Sequence, residues 1–301
     1  MKSLTALIKR EYLEHRGAFV YAPAVILVIL AVILFAGAGL GRFNPPNVEH
    51  TGSIGIVSGA KGFEFGFLGL SAMWMFYLLV TLFFYFADAF SADSRHNAML
   101  FWKSMPQSDF KILASKMLAG FTIFPALILG ALILSSVIVF IAIVAMLGTV
   151  PGLVASDPAA FLASAANVLS FDVGYLVLAL LWYAPFFAWV GLLSTLFRRW
   201  SIPLAFLIPG LVGLAENLLF RNIFSAPDAG FVLSFLRERM SFALNREDIM
   251  AALISERTFD TVGLYGRLLG QIDWAQLVGG VGVAFVLVYL ASEYRRRYVA
   301  T

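Results

Sequence analysis

Glu216 is the ionisable residue most firmly embedded in apolar sequence, standing beside Asn217 near the end of the stretch 201–220. A carboxylate within a membrane span lines a translocation path or gates it, or else it sits at the interface, solvated and paired with a cation. Arg221, about one helical turn away, is such a cation. Glu216 and Asn217 are therefore read in both ways, as a candidate pathway or gate and as an exterior interfacial group.

The second constellation is aromatic. Leu100, Phe101 and Trp102 stand in a row inside residues 87–116, the longest polar interruption in the first half of the chain, and Lys103, Met105 and Pro106 follow them. A solvated connector has no use for such a cluster, whereas a docking surface does. A short helix from Arg95 through Asn97 to Met105, ended by Pro106, has aromatic, basic and polar residues on different sides, which suits insertion into a protein cleft. The alternative is interfacial anchoring by Phe101 and Trp102. Asp88 and Asp93 fit partner contacts or a solvated helix end equally.

Other chemistry is missing from the sequence. There is no cysteine, which removes disulfides, thiolate catalysis and zinc–thiolate sites. His15, His50 and His96 lie far apart, with no second ligand at metal-site spacing. Gly59-Ala60-Lys61-Gly62 lacks both the glycine spacing and the Ser/Thr of a phosphate loop. No Ser/His/Asp set or HExxH pair is present. No catalytic residue, cofactor or metal is therefore assigned to this chain.

The elements that must position these residues are membrane spans. The 301 residues are 61% hydrophobic and 13% charged, with mean hydropathy +0.88. Soluble domains carry about 25% charged residues, so this chain could not cover a soluble core of matching size. Its apolar runs are near-continuous rather than alternating, which argues for helices and against a barrel. The expected fold is all-α: a polytopic membrane protein with six transmembrane helices at about 18–40, 67–87, 117–147, 171–197, 201–220 and 274–294.

Residues 1–17 form a separate element, with Leu4, Leu7, Ile8 and Tyr12 at helical spacing and Lys9, Arg10, Glu11 and Glu14 off that stripe. They predict an amphipathic helix in the membrane surface. The apolar run after Arg16 is too long for a cleavable signal peptide, and no small-residue cleavage pattern follows it. Residues 18–301 form the six-span transmembrane domain. Ser108 is a predicted N-cap with Asp109 at the first helical position. Helix from there to 147 would measure about 58 Å, longer than a bilayer, with a kink expected at Pro125. Residues 42–66 and 148–170 are expected as loops, the latter free of Lys and Arg. The exterior segment 221–273 holds 6 basic and 7 acidic residues and predicts short amphipathic helices, one of them capped by Asn245.

Charge sets the orientation. With both termini inside, 13 basic residues fall on the cytoplasmic side, including Lys103, Arg198, Arg199 and Arg295 to Arg297. The short exterior loops keep Arg42 and Lys61, and long segments are largely exempt from the rule. The net charge of +3 and pI near 9.2 thus record topology rather than nucleic-acid binding.

The run Asp93-Ser94-Arg95, Asn97, Leu100-Phe101-Trp102-Lys103-Ser104-Met105-Pro106-Gln107-Ser108-Asp109 and Ser115-Lys116 resembles the cytoplasmic loop of type-2 ATP-binding-cassette (ABC) permeases of bacterial exporters. The motif covers about 30 residues, while the six spans, the inside termini and the leading amphipathic helix are similar over the whole chain. The resemblance implies that 97–106 is a coupling helix seated in a separate cytoplasmic ATPase subunit, which binds the ATP and Mg. It also implies a homodimer or a heterodimer with another permease, in the bacterial cytoplasmic membrane. The function expected is the permease subunit of an ABC exporter, not itself an enzyme. The rival is a non-transporting anchor or sensor that binds an exterior ligand at 221–273. Few polar groups in the spans suit a lipid, a hydrophobic peptide or an amphipathic drug better than an ion.

Overall fold

The computed structural model describes residues 2–39, 57–95, 108–146, 153–154, 157–220, 231–240 and 259–298. Ten helices are described: α1 Lys2–Glu14, α2 Ala22–Gly39, α3 Gly59–Arg95, α4 Asp109–Leu118, α5 Phe124–Met146, α6 Pro158–Phe197, α7 Ser201–Phe220, α8 Phe231–Met240, α9 Thr261–Gln271 and α10 Trp274–Tyr298. Two short strands, β1 Val57–Ser58 and β2 Leu153–Val154, pair in parallel. Among the described residues, five helical runs are long and apolar enough to cross a membrane: Gly17–Gly37, Ala60–Ala92, Asp109–Met146, Pro158–Leu219 and Trp274–Arg297.

The fourth run is 62 residues long and is interrupted. Arg198 takes φ 52°, a left-handed backbone rare outside glycine, and a single 3₁₀ turn, Arg198–Trp200, leads into α7. The chain doubles back there: the Trp189 indole donates to the Ala205 carbonyl at 3.4 Å. Pro209 cannot donate to that carbonyl four residues earlier, so the indole satisfies an acceptor the proline leaves open.

Prolines shape two other junctions in the same way. The π turns Gly17–Tyr21 and Ala119–Ile123 each end two residues before a proline, Pro23 and Pro125. The widened bonds Ala22 N–H to Gly17 and Phe124 N–H to Ala119 re-register the helix where a proline has no N–H to offer. The kink expected at Pro125 is therefore realised as a π turn. The two turns lie side by side, with Phe19 stacked on Phe124 at 3.8 Å.

The most enclosed helix is α6, which packs between α3 and α10, while α2 is the least enclosed. Buried phenylalanines fill the centre, Phe86 contacting Phe90, Phe121 and Phe187. The Ser108 hydroxyl caps α4 by accepting from Lys111 N–H, as its sequence position predicts.

Several expectations need correction. Residues 158–170 are helix, not loop: Asp157 accepts from Ala159 N–H and starts α6 thirteen residues before the expected span. Helix α3 begins at Gly59, inside the stretch expected as a loop to 66. Glu11 does not lie on an exposed face of α1 but is buried, 2% exposed. Short helices do occupy part of 221–273, as α8 and α9, while Asn245 lies outside the described residues.

Candidate functional site

Two regions of the molecule carry organised polar chemistry, one at each end of the helices. At the first end, Lys116 (1% exposed) reaches from α4 to Glu11 of α1, its Nζ donating to Oε1 at 2.9 Å. The Tyr85 hydroxyl of α3 stands 3.1 Å from both Glu11 Oε2 and the Lys116 carbonyl. His15 packs edge-on against Tyr85 and places Nδ1 3.1 Å from the Glu11 carbonyl. A second ion pair at this end, Arg295 Nε to Asp109 Oδ1 at 2.9 Å, ties α10 to the start of α4. Glu11, Glu14 and His15 bring one ligand atom each to within 4.8 Å of one another. Glu11 is already bonded to Lys116 and Tyr85, and Glu14 to Arg10 at 2.6 Å, so the trio is a poor cation site.

Arg95 and Ser108 bound residues 96–107, which lie outside the described residues. Of the docking candidates, Arg95 is the last residue of α3. Asn97, Leu100, Phe101, Trp102, Lys103, Met105 and Pro106 lie outside the described residues.

From Phe84 and Ile202 toward the other end, α3, α6, α7, α8 and α10 line a laterally open chamber of about 1390 Å³. Phe76, Val80 and Phe84 line it from α3, Pro185 and Phe186 from α6, Phe206 and Gly210 from α7, and Gly279 and Val283 from α10. The helix that closes it is α8. Arg239 of α8 is 2% exposed and lies over the Trp182 ring, 4.2 Å from its centroid. Its Nη1 donates to the Gln276 carbonyl at 2.7 Å and its Nη2 to the Trp182 carbonyl at 3.0 Å. The Trp182 indole in turn donates to the Arg239 carbonyl at 2.7 Å. Burial lowers the Arg239 pKa, opposed by the charge of Asp273. Room for the guanidinium depends on Gly280, where a Cβ would come within 1.9 Å of Nη2.

Glu216 does not line the chamber. Its carboxylate accepts from the N–H groups of Phe231 (2.7 Å) and Val232 (2.8 Å), holding the first turn of α8. These N–H groups have no partner within their own helix, and the positive end of the helix favours the negative charge. Asn217 is exposed.

Compared with protein-family models, with curated proteins and with solved structures, the chain finds no match.

Beyond the chamber, α9 is anchored on α6: the Tyr265 hydroxyl donates to the Ser170 carbonyl at 2.6 Å, and burial raises the pKa of this phenol. Gly174 leaves the space, since a Cβ there would come within 2.0 Å of that hydroxyl. Nearby, buried Glu64 accepts from Lys61 (2.6 Å), Ser164 (2.8 Å) and Phe259 N–H (3.3 Å). Asp172 accepts from Ser71 at 2.6 Å beside a cavity of about 20 Å³, room for one water.

Sequence reasoning missed Glu11, Lys116 and Arg239 as organised groups. It counted Lys116 as a topology charge, placed Glu11 off the apolar stripe of α1 and left Arg239 in a segment exempt from the charge rule, and their partners are remote in the chain. The residue type that could have flagged Arg239 is its receiving glycine, Gly280, inside a span.

Proposed function

We propose that this chain is the membrane permease subunit of an ABC exporter, working with a cytoplasmic ATPase subunit that binds and hydrolyses the ATP. In this reading the 62-residue run makes two crossings, giving six spans. Both termini lie on the cytoplasmic side of a bacterial plasma membrane. The observation that carries the reading is the course of α3. One unbroken helix of 37 residues lines the chamber through Phe76, Val80 and Phe84 and ends at Arg95, where the segment with the docking-type aromatics begins.

A rigid helix of that kind passes a displacement at 96–107 to the chamber wall. The other end of the segment is equally well held, because α4 is tied to α1 by Glu11–Lys116 and to α10 by Asp109–Arg295. Closure of the ATPase subunits around ATP would push on residues 97–106, and the paired helices would carry the movement. A second permease, the same chain or a sister, completes the pathway.

Substitution tests the docking assignment. Phe101→Ala together with Trp102→Ala should abolish co-purification with the ATPase subunit while leaving the melting temperature of the membrane chain unchanged. Retained association would overturn the assignment of these residues.

A further inference from the structure

The chamber's wall and its rim differ in chemistry, and the contrast specifies an occupant. The wall is aromatic and aliphatic, and it opens sideways: Phe76 and Phe206, which line it, are 71% and 64% exposed. In a membrane, residues so exposed meet lipid chains rather than water. The polar groups gather at one end, as Arg237, Arg239 and Gln276. Arg239 is buried against carbonyls and the Trp182 ring. Arg237 is different: it is exposed, and among the described residues it makes no hydrogen bond or ion pair. No carboxylate lines the chamber among the described residues, so two guanidinium groups set its charge.

We propose that the chamber binds a bilayer lipid with an anionic phosphate headgroup, the phosphate on Arg237 and the acyl chains along the aromatic wall. A guanidinium presents a planar fork of donors that matches phosphate oxygens, and Arg237, at the polar end of the apolar wall, has that fork uncommitted among the described residues. Size agrees with a lipid: about 1390 Å³ exceeds the roughly 300–1,000 Å³ of pockets that hold drug-sized ligands. Binding itself requires the chamber alone. That such a lipid is what the protein moves rests on the exporter reading above.

The test uses the full chain purified in detergent and two probes of identical acyl chains, phosphatidylglycerol and phosphatidylcholine, with retention read by native mass spectrometry. The expected result is about tenfold tighter binding of phosphatidylglycerol, a difference of about 1.4 kcal/mol, because its phosphate charge faces Arg237 uncancelled whereas phosphatidylcholine carries a choline cation beside the same phosphate. Arg237→Gln should remove the preference but keep acyl-chain binding. Gly210→Phe with Gly279→Phe should weaken both lipids, because these glycines line the chamber and a Cβ at either meets nothing within 4 Å. An unchanged melting temperature would show that this filled variant folds. Equal binding of the two lipids, a preference that survives Arg237→Gln, or retention unaffected by filling the chamber would each overturn the proposal. None of these outcomes touches association with an ATPase, so the exporter reading stands or falls separately.

Discussion

Lys116 and Glu11 stand 105 residues apart in the chain, yet each is the other's buried counter-ion. Removing one partner strands a charge in a low-dielectric site, which costs about 3–5 kcal/mol, whereas removing both leaves no such charge. Lys116→Met should therefore lower the melting temperature sharply, and Glu11→Gln added to it should restore much of the loss. Additive losses in a double-mutant cycle would show the pair is uncoupled. This pair was not legible in the sequence. A helical stripe sorts residues by polarity, so Glu11 falls on the wet face of α1, and nothing local announces that a lysine from α4 will cover it. Glu216 was legible as an unusual residue, and its two alternatives included an interfacial role. Its actual ligands, the N–H groups of Phe231 and Val232, belong to a helix that begins fifteen residues later.

Helix α8 is the element whose placement depends most on single residues. Glu216→Ala removes the acceptor of two backbone N–H groups, and loss of a helix cap costs about 1 kcal/mol. The expected result is faster amide hydrogen exchange across the first turn of α8, with the spans unaffected. Gly280→Ala acts at the other end of the same helix. Its Cβ needs the place of Arg239 Nη2, so the bond from Nη2 to the Trp182 carbonyl must break. Hydrogen bonds to charged groups contribute about 1.5–3 kcal/mol. Exchange should rise throughout α8, and protection equal to that of the parent chain would refute the role given to the Arg239–Trp182 contact in holding α8. Apolar runs in the sequence located the crossing parts of the helices well, as at Ser201–Phe220. They could not show that α3 begins at Gly59 or α6 at Pro158, because those turns are held by contacts rather than by hydrocarbon. Glu64 bonding Ser164, and Tyr265 packed into the space left by Gly174, are such contacts.

At the scale of the molecule, the helices join two ends with different chemistry. One end has the buried ion pairs, the paired π turns and the boundaries of residues 96–107. The other has α8, which closes the chamber there, and α9, anchored on α6. Composition made the all-helical membrane class legible, because 13% charged residues cannot cover a soluble core of this size. The chamber was not legible, since its wall is assembled from five helices spread over some two hundred residues. The central claim, that an external ATPase drives this chain through residues 96–107, is tested most directly by ATP hydrolysis. The chain would be purified by tag in two forms, stripped to the single polypeptide and with subunits retained from its own membranes. The account predicts hydrolysis in the second form alone, and loss of that activity from the preparation when Phe101→Ala and Trp102→Ala are introduced. Robust turnover by the stripped polypeptide, or turnover in the retained complex that ignores both substitutions, would contradict it.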